Sequence, residues 1–325
     1  MKYPVAHRVF FFLCVTNVPD NMLKHLSELN HLIKKDHEPK KLVLAASEDA
    51  HSLSAVTSAA TAGIIRPVLV GDRDKTLGMA EILNLDLSPF EFIDSDHPVK
   101  SANLAVKLVH DGEADVLMKG KVGTSDMLRA VLHKEYGLRT GRLLSHFAYF
   151  EVETYHKLIA VTDVAMNIAP KLREKIDILN NAVLVLNKLG IERPKVAVLG
   201  AVEKVNTEMD ATLDAALLSK MNQRDQILNC IVDGPLAFDN AVSLESAKHK
   251  EIKSEVAGDT DLLLMPDIEV GNVLYKTLVF FAKAKVASMI VGASAPIVLT
   301  SRSDSEQAKF DSILLAAVTA DNHRQ

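Results

Sequence analysis

The stretch "PKLREKIDILNNAVLVLNKLGIERPKVAVLGA" (Pro170 to Ala201) decides the fold class. Leu172, Ile176, Leu179, Val183 and Leu186 recur at spacings of four, three, four and three, which sets them on one face of a helix. Pro170 suits the first turn of that helix and Gly190 its C-terminal stop. Pro194 then opens "KVAVLGA", an unbroken apolar run that ends at a glycine and reads as a buried strand. An amphipathic helix feeding a buried strand is an α/β unit.

The same texture extends in both directions. "KLVLAAS", "RPVLVGD", "FEFID", "ADVLMKG", "KLIAVTD", "CIVDG", "DLLLMPD", "SMIVGAS" and "PIVLTS" are short apolar runs that stop at a polar residue or glycine, and helical patterns lie between most of them. Continuous rather than alternating apolar strands, flanked by amphipathic helices, predict a parallel sheet covered on both faces. "SHFAYFEVETYHKLIAVTD" departs from this. Its two strand-like runs are separated only by "EVETYH", which leaves no room for a crossover helix, so a hairpin and a locally mixed sheet are expected. The first domain boundary is placed just before it, at Leu138 to Arg142, where "YGLRTG" breaks a helix. No long Pro/Gly/Ser linker occurs, so the two halves should pack closely around a cleft.

Composition narrows the class. A chain of 325 residues is comfortable for two cores, and 48% hydrophobic with 24% charged residues is ordinary for a soluble globular protein. The net charge of -5 implies no basic surface for nucleic acid. Cys14 and Cys230 are far apart, so a disulfide framework is not expected and a reducing cytoplasm fits. The histidines are scattered and no Cys/His cluster suggests a metal. The apolar run Val9 to Val15 is too short to span a bilayer, which takes about 20 residues. A signal peptide is the alternative there, but no small-x-small cleavage site follows.

In open α/β sheets ligands sit beyond the carboxyl ends of the strands, so the polar residues after each apolar run are the candidates. "DVLMKGKVGTSDMLRAVL" is the richest: Lys119, Gly120 and Gly123 follow a strand, and Thr124-Ser125-Asp126 opens a helix that Thr or Ser can cap. Glycines let backbone N–H groups approach an anion and a helix N-terminus attracts one, although the spacing is not that of a P-loop. The competing reading is a capped helix after a lysine-bearing turn. Arg129 lies four residues past Ser125 and can point to the same place or into solvent. Asp163 and Asn167 in "VTDVAMNIAP" read as caps, and Glu203 as a cap or an interface hydrogen-bonder. Asp239 and Asn240 follow a Gly-Pro turn and line either a cleft or a solvated helix start. Gly271-Asn272 opens a helix bearing Tyr275 and Lys276, with an asparagine cap as the plainer reading. In "TSRSDS" the hydroxyls of Ser301 and Ser303 can donate to phosphate oxygens, and Arg302 offers a bidentate fork. GxGxxG, HExxH and GxSxG are absent. The residues describe a metal-free cleft enzyme for an anionic, phosphorylated substrate.

Six ordered motifs, "LMKGKVGTSDMLRAVL", "VTDVAMNIAP", "AVEKVNTEMDATLDAA", "DGPLAFDNAVS", "LLLMPDIEVGNVLYKTL" and "PIVLTSRSDS", resemble the phosphate acetyl/butyryltransferase family, and "GPLAFDNAVS" and "LTSRSDS" look closer to its butyryltransferase branch. The resemblance runs from about "LAASEDAHSLSAV" to the C-terminus. It implies a reversible reaction of acyl-CoA with phosphate to give acyl phosphate and coenzyme A, with coenzyme A as substrate and no tightly bound cofactor. It also implies a cytoplasmic homodimer or higher homo-oligomer. The implied architecture is two α/β/α sandwich domains with a cleft between them, like the isocitrate/isopropylmalate dehydrogenases, with residues 1–140 plus 291–325 in the first and 141–290 in the second. Ser301, Arg302 and Asp304 are the catalytic candidates. Lys119, Thr124, Ser125, Arg129, Ser145, Asp239, Asn272 and Lys276 are those for phosphate and coenzyme A. Where the acetyltransferase branch carries a candidate base, this sequence has Ala308, so Asp304 is only a substitute and the base stays unassigned. Two alternatives stand beside the butyryl reading on this fold, a phosphate acetyltransferase and a catalytically silent coenzyme A-binding regulatory domain. An oxidoreductase on the related dehydrogenase architecture is a third.

Overall fold

A computed structural model describes residues 23–33, 38–300 and 304–321. The run Val9 to Val15, Cys14, Ser301, Arg302 and Ser303 lie outside the described residues. Eleven strands of the described chain form one sheet: β1 (Lys40–Ala45), β2 (Ile65–Gly71), β3 (Glu91–Asp94), β4 (Val116–Lys119), β5 (Ser145–Glu151), β6 (Ile159–Thr162), β7 (Lys195–Leu199), β8 (Ile231–Leu236), β9 (Leu262–Leu264), β10 (Lys285–Val291) and β11 (Ile297–Val298). Each predicted strand is present. The helices are α1 (Ala50–Thr61), α2 (Arg73–Leu83), α3 (Pro98–His110), α4 (Thr124–Val131), α5 (Leu172–Lys188), α6 (Asp210–Gln223), α7 (Phe238–Val242), α8 (Leu244–His249), α9 (Ile268–Phe280) and α10 (Glu306–Thr319).

The strand order β3-β2-β1-β4-β11-β10-β5-β6-β9-β7-β8 contains two parallel blocks. β3, β2, β1, β4 and β11 run together, and so do β6, β9, β7 and β8. Between them β10 is antiparallel to both β11 and β5, and β5 is antiparallel to β6. The pairing Tyr149↔Ala160 realises the predicted hairpin. The two blocks therefore point in opposite directions and meet at a seam made of β10 and β5. The fold is mixed α/β on a single large sheet.

Local chemistry accounts for the elements. In α5, Leu179, Val183 and Leu186 are buried as their spacing requires. The helix begins at Leu172, however, so Pro170 precedes it instead of occupying its first turn, and Lys171 is the cap. Gly190 has φ +90° just past the end, a conformation that favours glycine. Two further expected starts shift. α4 is capped by Gly123 with no side-chain hydrogen bond, so neither Thr124 nor Ser125 caps it. α9 begins at Ile268, capped by Asp267, whose carboxylate accepts from Val270 N; Asn272 is therefore inside the helix and is not its cap. The aspartate won because it sits directly before the first apolar-periodic residue.

Candidate functional site

The C-terminal ends of β1, β4 and β11 meet on one edge of the first block. Chain connections diverge here, from β1 through α1 to β2 on one side and from β3 through α3 to β4 on the other, the kind of switch point where open sheets bind ligands. β4 ends in Lys119, which is only 6% exposed, and its Nζ donates to the carbonyls of Gly120 (3.1 Å) and Val122 (3.3 Å). Gly120 is pressed so tightly on Ala46 O that no Cβ would fit, which brings the turn after β4 against the turn after β1. From the opposite side α10 brings in Lys309, 3% exposed, whose Nζ donates to Thr300 Oγ1 at 2.9 Å. Asp49 caps α1 between them, its Oδ1 accepting from Ser52 N at 2.9 Å. Burial alone would raise the Asp49 carboxyl. The Ser52 hydrogen bonds and the nearby Lys309 and Lys119 ammonium groups outweigh it and hold the group below its ordinary value. Burial pushes the Lys309 ammonium down, against the attraction of Asp49 and Asp304.

A cavity of about 370 Å³ adjoins this cluster over the seam. One wall comes from Thr124 and Leu128 of α4, another from Asn272, Tyr275 and Lys276 of α9. His146 of β5 and Ser288 and Ile290 of β10 also line it, with Val164, Ala165 and Met166 from the turn after β6. Leu299, Thr300 and Asp304 complete it. Leu128, Val164, Met166, Ile290 and Leu299 supply apolar surface, while Thr124, Asn272, Lys276, Thr300 and Asp304 supply polar atoms. A volume of this order with a few convergent polar groups is typical of small-molecule sites.

The turn after β6 is held by Asp163, whose carboxylate accepts from Ala165 N (2.9 Å), Met166 N (3.0 Å), Asn167 N (3.2 Å) and Asn167 Nδ2 (2.5 Å). Asn272 Nδ2 donates to Val164 O at 3.3 Å and ties α9 to the same turn. Gly271 packs directly on Asp163 O, a space no side chain would leave. His146 sits edge-on to Tyr275 with ring centroids 6.0 Å apart. Burial pushes its imidazolium down to about 4 despite the Asp163 charge, so the ring is neutral at physiological pH. Its Nδ1 is buried with no hydrogen-bond partner among the described residues. Burial also raises the Tyr275 phenol, Asp304 adding to the effect and the Ser288 hydrogen bond opposing it.

The "Phosphate acetyl/butaryl transferase" family model matches residues 96–317. This chain belongs to that family. Phosphate butyryltransferase of Clostridium acetobutylicum is 49% identical over 93% of this chain and 100% of its own length. Phosphate acetyltransferase of Thermotoga maritima is 48% identical over 86% of this chain and 95% of its own length. Among solved structures, a branched-chain phosphotransacylase from Enterococcus faecalis V583 superposes with a TM-score of 0.77 at 34% identity, covering 87% of this chain and 100% of that one.

The residues singled out in this phosphate acetyl/butyryl transferase chain fall into three groups. Thr124, Asn272, Lys276 and Asp304 line one cavity, and Lys119 lies in the adjoining strand-end cluster. Ser301 and Arg302 lie outside the described residues, but Thr300 and Asp304 on either side of them are both cavity residues. The remaining four are not part of the cavity wall. Ser125 is exposed beside Thr124, and Arg129 is exposed and paired with Asp126 Oδ1 at 2.8 Å. Ser145 is fully buried and accepts from Asn181 Nδ2 at 3.1 Å. Asp239 accepts from Ser246 Oγ at 3.1 Å and lies 3.5 Å from Lys250 Nζ, which also pairs with Glu203 at 3.1 Å.

Four site residues escaped the sequence reading: Asp49, His146, Thr300 and Lys309. His146 is one residue past Ser145, and successive strand residues face opposite sides of a sheet, so the cavity side belongs to the histidine. Lys309 had a visible sign. "SILLAAV" is apolar on every side, which marks α10 as a buried helix, and a lysine in such a helix needs a polar partner.

Proposed function

We propose that this chain transfers an acyl group between coenzyme A and inorganic phosphate, with butyryl-CoA or a similar short or branched acyl-CoA as donor. The observation that carries the reading is the cavity itself. Its lining includes apolar side chains suited to a short acyl chain, and it includes Thr300 and Asp304, which flank Ser301 and Arg302 in the sequence. The buried Lys119 and Lys309 adjoin it, which favours an anion in the same place.

In this reading both substrates are held together, which supplies proximity. A phosphate oxygen attacks the thioester carbonyl carbon, the C–S bond breaks, and coenzyme A departs as thiolate while the acyl phosphate forms. Arg302 spans the phosphate and the developing oxyanion, and Ser301 hydrogen-bonds the carbonyl oxygen or the departing sulfur. Lys119, Thr124, Asn272 and Lys276 face phosphate or coenzyme A, while Ser125, Arg129, Ser145 and Asp239 are the weaker binding proposals because of where they lie. Phosphate is already partly dianionic at neutral pH, so Asp304 need not act as a strong base. A covalent acyl-enzyme on Cys230 is disfavoured, because burial raises that thiol to about 11, too high for a thiolate nucleophile. Coenzyme A enters as a substrate, and no tightly bound cofactor takes part.

The sheet reversal at β10 and β5 supports a division into residues 1–140 plus 291–325 and residues 141–290, arranged as in the isocitrate/isopropylmalate dehydrogenases. A cytoplasmic homodimer or higher homo-oligomer completes the proposal. Among the described residues no helix is long and apolar enough to cross a membrane. Acetyl transfer is the second reading, favoured by the Thermotoga relative. Phosphate-dependent thiol release across acetyl- to octanoyl-CoA tests both. A maximum at butyryl or a branched chain is expected, a maximum at acetyl selects the second reading, and release from none of them overturns both.

A further inference from the structure

One cavity group has no task in the reaction described above. His146 is 6% exposed, lines the cavity, and holds a buried Nδ1 without a hydrogen-bond partner among the described residues. A buried polar atom left unsatisfied is costly, so such a ring on the wall of a ligand cavity points to a partner that arrives with the ligand. Its surroundings narrow the chemistry of that partner. The nearest carboxylate, Asp163, is occupied by Ala165, Met166 and Asn167 and is not hydrogen-bonded to the ring. The ring stands against Tyr275 on one side and shares the cavity with Met166, Ile290 and Leu299, all of which favour an uncharged imidazole. A neutral imidazole is a poor anchor for phosphate and a good single donor to a neutral carbonyl.

We infer that His146 is a substrate-contacting residue that donates a hydrogen bond from its neutral imidazole to the thioester carbonyl oxygen of the acyl donor. This rests on the acyl-transfer reading. It adds a donor from β5 to the carbonyl, on which the negative charge develops during attack, so the contact strengthens as the reaction proceeds. The histidine neither gives up nor gains a proton in the step.

The test compares wild type, His146→Phe and His146→Gln in phosphate-dependent thiol release from butyryl-CoA. The carbonyl contact predicts that His146→Phe lowers kcat/KM for butyryl-CoA about tenfold or more, the worth of one donor to a developing oxyanion. It predicts that His146→Gln, which keeps an N–H donor, stays within about threefold of wild type, since a neutral hydrogen bond is modest in net terms. The KM for phosphate and inhibition by free coenzyme A, which has no thioester carbonyl, are expected to stay unchanged in both. Three results overturn the inference while wild type remains active: full kcat/KM in His146→Phe, coenzyme A inhibition weakening in step with butyryl-CoA, or equal losses in both variants with lowered melting temperatures. Failure of wild type to release thiol overturns the acyl-transfer reading as well.

Discussion

Two of the regions that bury lysines in this molecule do so differently. Beneath the hairpin, Lys157 pairs with Asp259 at 2.9 Å and Asp261 at 2.6 Å, and Asp259 also binds Lys195 at 2.5 Å and His156 at 2.8 Å. Those contacts hold the Asp259 carboxyl well below its usual range even though burial pushes the other way. None of these residues lines the cavity. At the strand ends of the first block, by contrast, Lys119 donates to backbone carbonyls and Lys309 to a threonine hydroxyl, and Thr300 forms part of the cavity wall. The hairpin network locks a β5–β6 connection onto the loop before β9. The strand-end pair lies beside the cavity, with Asp49 near both lysines. Burial of a charge does not mark a site; the partner and the neighbouring cavity do.

That contrast can be broken by substitution. Lys157→Met leaves Asp259 and Asp261 without their buried partner and should cost about 3–5 kcal/mol of stability, read by denaturant unfolding, while turnover per folded molecule is retained. Loss of turnover at unchanged stability would erase the distinction. Asp311 offers a second control away from the cavity. Burial raises its carboxyl to about 6, although the Gln307 hydrogen bond and Lys285 oppose this. A raised carboxyl stabilises the fold below the unfolded value near 4 and loses that contribution as pH rises through about 6. Asp311→Asn should therefore gain about 3 kcal/mol at pH 7, with the difference shrinking toward zero near pH 4 in paired melts. Lys309→Met should lower kcat/KM for phosphate about tenfold, or about 1.4 kcal/mol, with little change in KM for acyl-CoA. Lys250→Ala, which removes a partner of Glu203 and Asp239 outside the cavity, should change turnover less than about twofold, as exposed pairs contribute little.

The fold was largely legible before the structure because its strands are unbroken apolar runs bounded by glycine and polar stops. Even the hairpin after Ser145 announced itself through the missing crossover. Helix starts were less legible. Thr124 and Asn272 are good capping residues, yet Gly123 and Asp267 took the positions, because propensity names candidates and tertiary placement chooses among them. For the site, strand-end polarity found Lys119, Thr124 and Asp304, since that rule follows chain direction. It also drew in Asp239, which follows a strand of the second block, and that block runs the opposite way. Lys309 and His146 were missed because a helix lysine and a strand histidine look ordinary until burial is known.

The central claim is direct attack of phosphate on a bound thioester within one ternary complex. Initial rates of thiol release, measured with butyryl-CoA and phosphate both varied, test it most directly. Intersecting lines in the double-reciprocal plot are predicted, with release abolished when phosphate is omitted. Parallel lines, or a burst of thiol before phosphate is added, would place a covalent acyl-enzyme on the path and contradict it.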